Sequence, residues 1–297
     1  MKGAYICKFD GRESLPEDLL KIHQIDTKGI HTDLNEMSKY ARYLKEYRQD
    51  GFTRLPFCVT LEAEALGATI VFELGDKQIE YGPRIKAHTI ESAEDLHVFL
   101  CQDKLGLSTR QKTVLACIEK DAQNGVVALG ITGPLTVCSG LMDQSIFYKV
   151  LRREPDLIHS FLDKVTDHII AFASHGIDAG ASIISFADPV GAMEIIGPKH
   201  YKNICLPYVK KILQALISLD FGGVVHICPK TSMGLSQMGV VKSTRLSYGA
   251  QNYSYGLLKH LKMRRTSMIG HRCIKDRSLE INRSNKEDVE VRLLEFL

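Results

Sequence analysis

Two His-x-Cys triplets, His226-Ile227-Cys228 and His271-Arg272-Cys273, hold the residue types in this 297-residue chain best suited to metal chemistry. With 11 His and 8 Cys in the chain, random placement would give only about 0.3 such triplets. In an extended segment residues i and i+2 point the same way, so each triplet aims an imidazole nitrogen and a sulfur at one side. Imidazole and thiolate suit Zn²⁺: three protein ligands with one exchangeable position make a catalytic site, and four make a closed structural one. Spacing alone leaves a second reading open, in which His226 and Cys228 are ordinary buried strand residues and His271 and Arg272 ordinary loop polars.

Both triplets follow apolar runs, Gly222-Gly223-Val224-Val225 before the first and Ser267-Met268-Ile269-Gly270 before the second. Further β-rich runs at 55–60, 69–73, 126–131, 182–187 and 244–248 join 223–227 and 267–269 as expected strands. Helical stretches at 91–102, 109–121, 155–175, 198–219 and 251–262 separate them. Glu154-Pro155-Asp156 and Gly197-Pro198 mark helix starts. Strands alternating with long helices argue for a parallel sheet covered by helices, and Val126-Val127-Ala128-Leu129-Gly130-Ile131 has the continuous apolar character of a strand buried on both faces. No Gly-x-Gly-x-x-Gly and no Gly-x-x-x-x-Gly-Lys-Ser/Thr is present, so the usual phosphate cradles of doubly wound folds are missing. The expectation is therefore an α/β chain of (β/α)8 TIM type, with residues 1–53 as a helical N-terminal extension and 54–297 as the barrel. In such a barrel the chemistry sits at the C-terminal strand ends. By this count the triplets end the fifth and seventh strands. Alternate strands share an interior layer, so the two triplets could converge although 45 residues apart.

Composition narrows the classes further. Hydrophobic residues at 44% and charged residues at 25% describe an ordinary globular chain with ample core material. A net charge of +3, with no basic patch carrying interleaved aromatics, argues against nucleic acid. No apolar run approaches the ~18 residues of a membrane span, and Met1-Lys2-Gly3-Ala4-Tyr5-Ile6 lacks the apolar centre of a signal peptide. Eight scattered cysteines without an export signal read as reduced thiols of a cytoplasmic protein.

Several stretches then agree, in order, with one known family. Val225-His226-Ile227-Cys228 resembles the zinc-binding His-x-Cys of the cobalamin-dependent methyltransferases of the uroporphyrinogen decarboxylase superfamily. The run from Pro56-Phe57-Cys58-Val59-Thr60 through Leu61-Glu62-Ala63-Glu64-Ala65-Leu66-Gly67 is similar to that branch's first strand and turn. Ile131-Thr132-Gly133-Pro134-Leu135-Thr136 looks like its Gly-Pro-Phe-Thr turn. Ala187-Asp188-Pro189, Ile196-Gly197-Pro198 and Leu206-Pro207-Tyr208-Val209-Lys210 match its middle segment. The resemblance covers about residues 50 to 296. It implies a TIM barrel, zinc on His226 and Cys228, and methyl transfer from a methylcorrinoid, carried by a partner corrinoid protein, to a small coenzyme M-like thiol or related acceptor. It further implies catalytic roles for Asp188 and Glu62 and places Glu64 on the substrate and cofactor side, with one of the two glutamates an additional or displaced zinc ligand. Lys230, which lies outside the family pattern, is a further candidate on the substrate side. Each carboxylate also fits the plainer role of an acid favoured at a helix start. A homodimer is compatible with this reading.

The chain departs from the family pattern in three places. Pro229-Lys230 replaces the usual Gly after His-x-Cys, stiffening the turn and adding a cation. Gly270-His271 stands where the family has Gly-Asn. The family's third zinc ligand, a cysteine after the eighth strand, has no counterpart. After residue 270 only one more helix is expected, at about 285–296, opened by a capping box at Ser284-Asn285-Lys286-Glu287. The barrel is thus expected to be one strand-helix unit short, and His271 or Cys273 is the candidate replacement ligand. Two alternatives remain: a uroporphyrinogen decarboxylase-type decarboxylase, which needs no metal, and a non-catalytic barrel that binds corrinoid or a partner.

Overall fold

Apolar runs too short for helices and flanked by amphipathic helices assemble here into one seven-stranded sheet, in a computed structural model that describes residues 17–73, 82–102, 106–276 and 289–297. The strands are β1 (Thr53–Leu55), β2 (Thr69–Glu73), β3 (Gly82–Ala87), β4 (Val127–Thr132), β5 (Ile183–Ala187), β6 (Val224–Ile227), β7 (Val241–Tyr248), β8 (Ser267–Gly270) and β9 (Val289–Phe296). The main sheet has the order β1-β4-β5-β6-β8-β9-β7, and its first five members are parallel. Helices Pro155–Asp178 and Leu206–Ser218 make the crossovers from β4 to β5 and from β5 to β6, and Tyr253–Leu261 precedes β8. This is the α/β, TIM-type winding expected from the sequence.

Burial on both faces explains the continuous apolar runs. Val127 and Leu129 of β4, Ile183 and Ile184 of β5, and Val224 and Val225 of β6 are fully buried. Each such side chain contributes about 1.5–3 kcal/mol. Helix Pro155–Asp178 lies close enough to β4 that a Cβ on Gly176 would come within 2.2 Å of Leu129 Cδ2, so a larger residue there would force the end of that side chain to move. Helix Leu34–Arg48 begins at Asp33, whose carboxylate accepts the amides of Asn35 and Glu36 at 2.8 and 3.0 Å. Its buried Met37, Tyr40, Ala41 and Leu44 follow the i, i+3, i+4, i+7 pattern and join the main core.

The structure corrects several details. Residues 69–73 do form a strand, but it pairs antiparallel with β3 in a separate two-stranded sheet. β1 ends at Leu55, because Pro56 offers no N–H to continue the ladder. Residues 198–219, expected as one helix, divide into Met193–His200, a five-residue π turn and Leu206–Ser218, with Gly197 at φ 76°. The final helix is instead a strand. Val289, Val291 and Leu294 of β9 are buried, and Val289-Glu290-Val291-Arg292 alternates at the strand period, so the segment inserts antiparallel between β7 and β8. The Ser284–Glu287 capping box lies outside the described residues. The His-x-Cys strands are adjacent rather than alternate: β6 and β8 pair in parallel, with His226 opposite Ile269. No helix among the described residues is long and apolar enough to cross a membrane.

Candidate active site

Parallel strands end on the same side, and there the ends of β1, β4, β5, β6 and the turn after β8 enclose a mainly apolar cavity of about 380 Å³. His226, Cys228 and Cys273 all line it, together with Cys58, Ser185 and Lys230.

His226 is the third residue of β6 and is 1% exposed. Its Nε2 stands 3.0 Å from the main-chain oxygen of Arg272, and its Nδ1 stands 3.3 Å from Ser185 Oγ on β5. Burial holds its pKa down to about 4; the bond to the Arg272 carbonyl opposes that shift, and the nearby Arg54 charge adds to it. The ring is therefore neutral at pH 7. A carbonyl only accepts, so Nε2 carries the proton and Nδ1 the lone pair. A metal-binding histidine takes this form, its remote N–H fixed by a backbone carbonyl.

Cys228 is the N-cap of helix Pro229–Gln237 and is half-buried. Its amide donates to the Phe186 carbonyl at 2.9 Å, and its own carbonyl receives the Ser232 amide at 2.9 Å, so the backbone beneath the sulfur is fixed. Cys273 is 9% exposed, and its carbonyl accepts the Asp276 amide at 3.0 Å. The seven cysteines among the described residues are free thiols. One neutral imidazole and two thiols are the donor types zinc prefers. Among the described residues, no three His, Cys, Asp or Glu side chains stand close enough to share one ion as they are placed here.

Of the other expected site residues Lys230 lines the cavity, whereas His271, Asp188, Glu62 and Glu64 are not among its lining residues. His271 does not reach the cavity. It sits at φ 63°, and its ring lies among serines, Nε2 at 2.9 Å from Ser236 Oγ and Nδ1 at 3.4 Å from Ser243 Oγ. Asp188 is buried and accepts the amides of Leu135 and Thr136 at 3.2 and 2.9 Å and the Thr136 hydroxyl at 2.7 Å. It thus caps the first turn of helix Pro134–Leu141, although desolvation raises its pKa. Glu62, also buried, accepts the Thr132 amide at 2.7 Å and ties the turn after β1 to the end of β4. Burial pushes its pKa up to about 7, against that hydrogen bond and the Arg110 charge. Glu64 pairs with Arg110 at 2.7 Å. Lys230 is on the cavity wall and pairs with Glu194 at 2.7 Å.

Three contributors were not singled out from the sequence. Ser185 faces His226 from the middle of Ile184-Ser185-Phe186, where a lone hydroxyl in a buried strand was the available signal. Arg54, buried in β1, pairs with Asp50 at 2.8 Å and donates to the Ile274 carbonyl at 3.0 Å, and a charge inside a three-residue buried strand was its mark. Cys58 receives a hydrogen bond from Arg110 Nη2 at 3.1 Å.

Comparison with known proteins bears on what this cavity does. The uroporphyrinogen decarboxylase (URO-D) family pattern matches residues 12–270. A methylcobamide:CoM methyltransferase MtbA of Methanosarcina mazei is 32% identical over 212 residues, 70% of this chain and 60% of its own length. A methylcobamide:CoM methyltransferase MtaA of Methanosarcina barkeri is 29% identical over 214 residues, with the same coverage. A uroporphyrinogen decarboxylase of Myxococcus xanthus is 27% identical over 194 residues, 63% of this chain and 52% of its own. Among solved structures, a methyltransferase from Methanosarcina mazei superposes with TM-score 0.64 at 26% identity, over 77% of this chain and 66% of that one. The chain spans about 60% of the length of the two methyltransferase relatives.

Proposed function

The chain belongs to the uroporphyrinogen decarboxylase family, and from that premise we propose that it is a methyltransferase moving a methyl group from a methylcorrinoid, carried by a partner protein, to a small thiol of the coenzyme M kind. One observation carries the reading: His226, Cys228 and Cys273 wall the same cavity, with His226 buried in the neutral tautomer that leaves Nδ1 as a donor. The names of the methyltransferase relatives support the same class of reaction.

In this reading His226, Cys228 and Cys273 would hold Zn²⁺, and holding it would require them to close in from the positions they take here. A zinc ion there would supply the positive charge that favours the thiolate form of an incoming thiol, whose free pKa is about 8.5. The chain's own groups do the rest. The Arg272 carbonyl fixes the His226 ring. The Phe186 carbonyl and Ser232 fix Cys228. Leu55, Val59, Ile131 and Ile274 give the wall its apolar character. A methylcorrinoid docked at the cavity would supply the methyl group, its bond to the methyl carbon breaking with the electron pair kept by the corrinoid as the acceptor sulfur bonds to that carbon. In-line approach then depends on positioning. We assign residues 54–297 to the catalytic unit and 1–53 to an N-terminal extension. We place the reaction in the cytoplasm, where its thiols stay reduced.

A decarboxylase would turn cationic side chains toward substrate carboxylates. Of the three cationic residues that line this cavity among the described residues, Arg54 is instead engaged by Asp50 and the Ile274 carbonyl and Lys230 by Glu194, and Lys275 is the third. The test is demethylation of methylcobalamin by zinc-loaded protein with a panel of small thiols. Thiol-dependent loss of the methyl group, abolished in Cys228→Ser, is expected; an inert protein with full zinc occupancy would overturn the assignment.

A further inference from the structure

The family match stops at residue 270, and the turn that follows, 271–276, is where this chain places Cys273. That turn is held by an unusual amount of buried charge. Arg272 is 4% exposed, and its Nε donates to Asp276 Oδ2 at 2.9 Å. Its guanidinium lies over the ring of Tyr253, 4.9 Å from the centroid. The Tyr253 ring in turn meets the edge of the His226 ring at 6.0 Å. The main-chain oxygen of Arg272 accepts a hydrogen bond from His226 Nε2, and the Asp276 amide closes the turn on the Cys273 carbonyl at 3.0 Å. One residue therefore contacts His226 through its backbone, precedes Cys273 in the chain and is locked by its side chain from two directions.

We propose that Arg272 is a positioning residue, a clamp that sets His226 and Cys273 in register on the cavity wall, and that Asp276 and Tyr253 are its two jaws. A planar guanidinium suits this arrangement, because it stacks on an aromatic face while its edge meets a carboxylate. Without the clamp the 271–276 turn loses one of its buried anchors, keeping the Arg54–Ile274 carbonyl and His271 amide–Ser232 bonds at its two ends. Cys273 between them gains freedom to move on the wall while β6, paired on both sides, keeps His226 and Cys228 in place.

Two measurements test the clamp, and only the second rests on the zinc reading. In metal-free protein, alkylation of individual cysteines by iodoacetamide is followed by mass spectrometry. Each reaction forms a carbon–sulfur bond with loss of iodide from the reagent and of the thiol proton to water. Arg272→Met is expected to label Cys273 about tenfold faster than the parent does, with the rate at Cys228 unchanged. Asp276→Asn, a milder change at a less buried position, is expected to move Cys273 the same way. Cys273 rates unchanged in both variants would overturn the proposal; faster labelling at every cysteine would show general unfolding and overturn it as well. In cobalt(II)-substituted protein, the parent is expected to show thiolate-to-cobalt charge transfer from two sulfurs. Arg272→Met should match Cys273→Ser, with about half the intensity and affinity lowered by about 10–100-fold. Two-sulfur intensity retained in Arg272→Met would count against the clamp. A parent that binds no cobalt would refute the zinc reading and leave the labelling result to decide the clamp.

Discussion

His226 Nε2 lies 3.0 Å from the backbone oxygen of Arg272, and this one contact joins the end of β6 to the turn after β8. It fixes which imidazole nitrogen keeps its lone pair, and it sets the residue before Cys273 against the wall that holds Cys228. The adjacency of β6 and β8 makes the contact available, since His226 sits opposite Ile269, three residues short of Arg272.

Acid should weaken the fold through His226. Burial lowers its pKa from 6.5 to about 4, so the folded state resists a proton that the unfolded chain takes up. The stability contributed is complete above about pH 6.5 and is lost as pH falls from there to about 4. The loss is on the order of 3 kcal/mol for this group. Urea unfolding of metal-free protein at pH 7 and at pH 4.5 measures it, and His226→Gln should flatten the difference.

Glu62 acts in the opposite sense. Its folded pKa, raised from 4.5 to about 7, means that the unfolded chain gives up a proton the folded state retains. Stability from this group is complete below about pH 4.5 and is lost as pH rises to about 7. Glu62→Gln keeps an acceptor for the Thr132 amide without the buried charge. It should match the parent at pH 4.5 and exceed it at pH 8 by on the order of 2–3 kcal/mol, read from urea midpoints.

Asp188 is expected to matter for stability rather than for metal content. Its carboxylate caps helix Pro134–Leu141, and Gly133 and Gly191 leave it room: a Cβ on Gly133 would lie 2.3 Å from Asp188 Cβ. Asp188→Ala should lower stability by about 2 kcal/mol at unchanged zinc stoichiometry. Gly133→Ala should also destabilise, with melting temperature as the readout.

His271→Asn separates the two members of the second triplet. Asparagine tolerates the φ of 63° at this position, and the ring it removes contacts serines outside the cavity. Zinc affinity should equal the parent's, whereas Cys273→Ser should lower it at least tenfold in a competition titration with a chelator.

Much of this was legible in the sequence because burial writes itself into long apolar runs. Val127 to Ile131 read as a two-sided strand, Val224 to Ile227 as an apolar strand, and Pro155 announced its helix. What escaped depended on partners distant in sequence. β9 read as a helix because Ser284-Asn285-Lys286-Glu287 has the form of a capping box, while the exchange with β7 and β8 that buries Val289, Val291 and Leu294 leaves only a short alternating pattern. The triplets looked like members of one layer two strands apart, but the segment expected to separate them became β7 at the far edge of the sheet. Asp188 and Glu62 carry the right chemistry for a site, yet the amides they hold belong to residues 52 and 70 positions away. His271 and Cys273 share an i, i+2 spacing but not a direction, because the left-handed backbone at His271 ends the strand geometry on which that rule depends.

X-ray absorption at the zinc edge, recorded before and after adding a small thiol, tests the central claim most directly. The account predicts one zinc per chain bound by two sulfurs at about 2.3 Å and one nitrogen at about 2.0–2.1 Å, with a light fourth ligand that gives way to a third sulfur when thiol is added. A zinc shell without protein sulfur, or one that the thiol leaves unchanged, would contradict it.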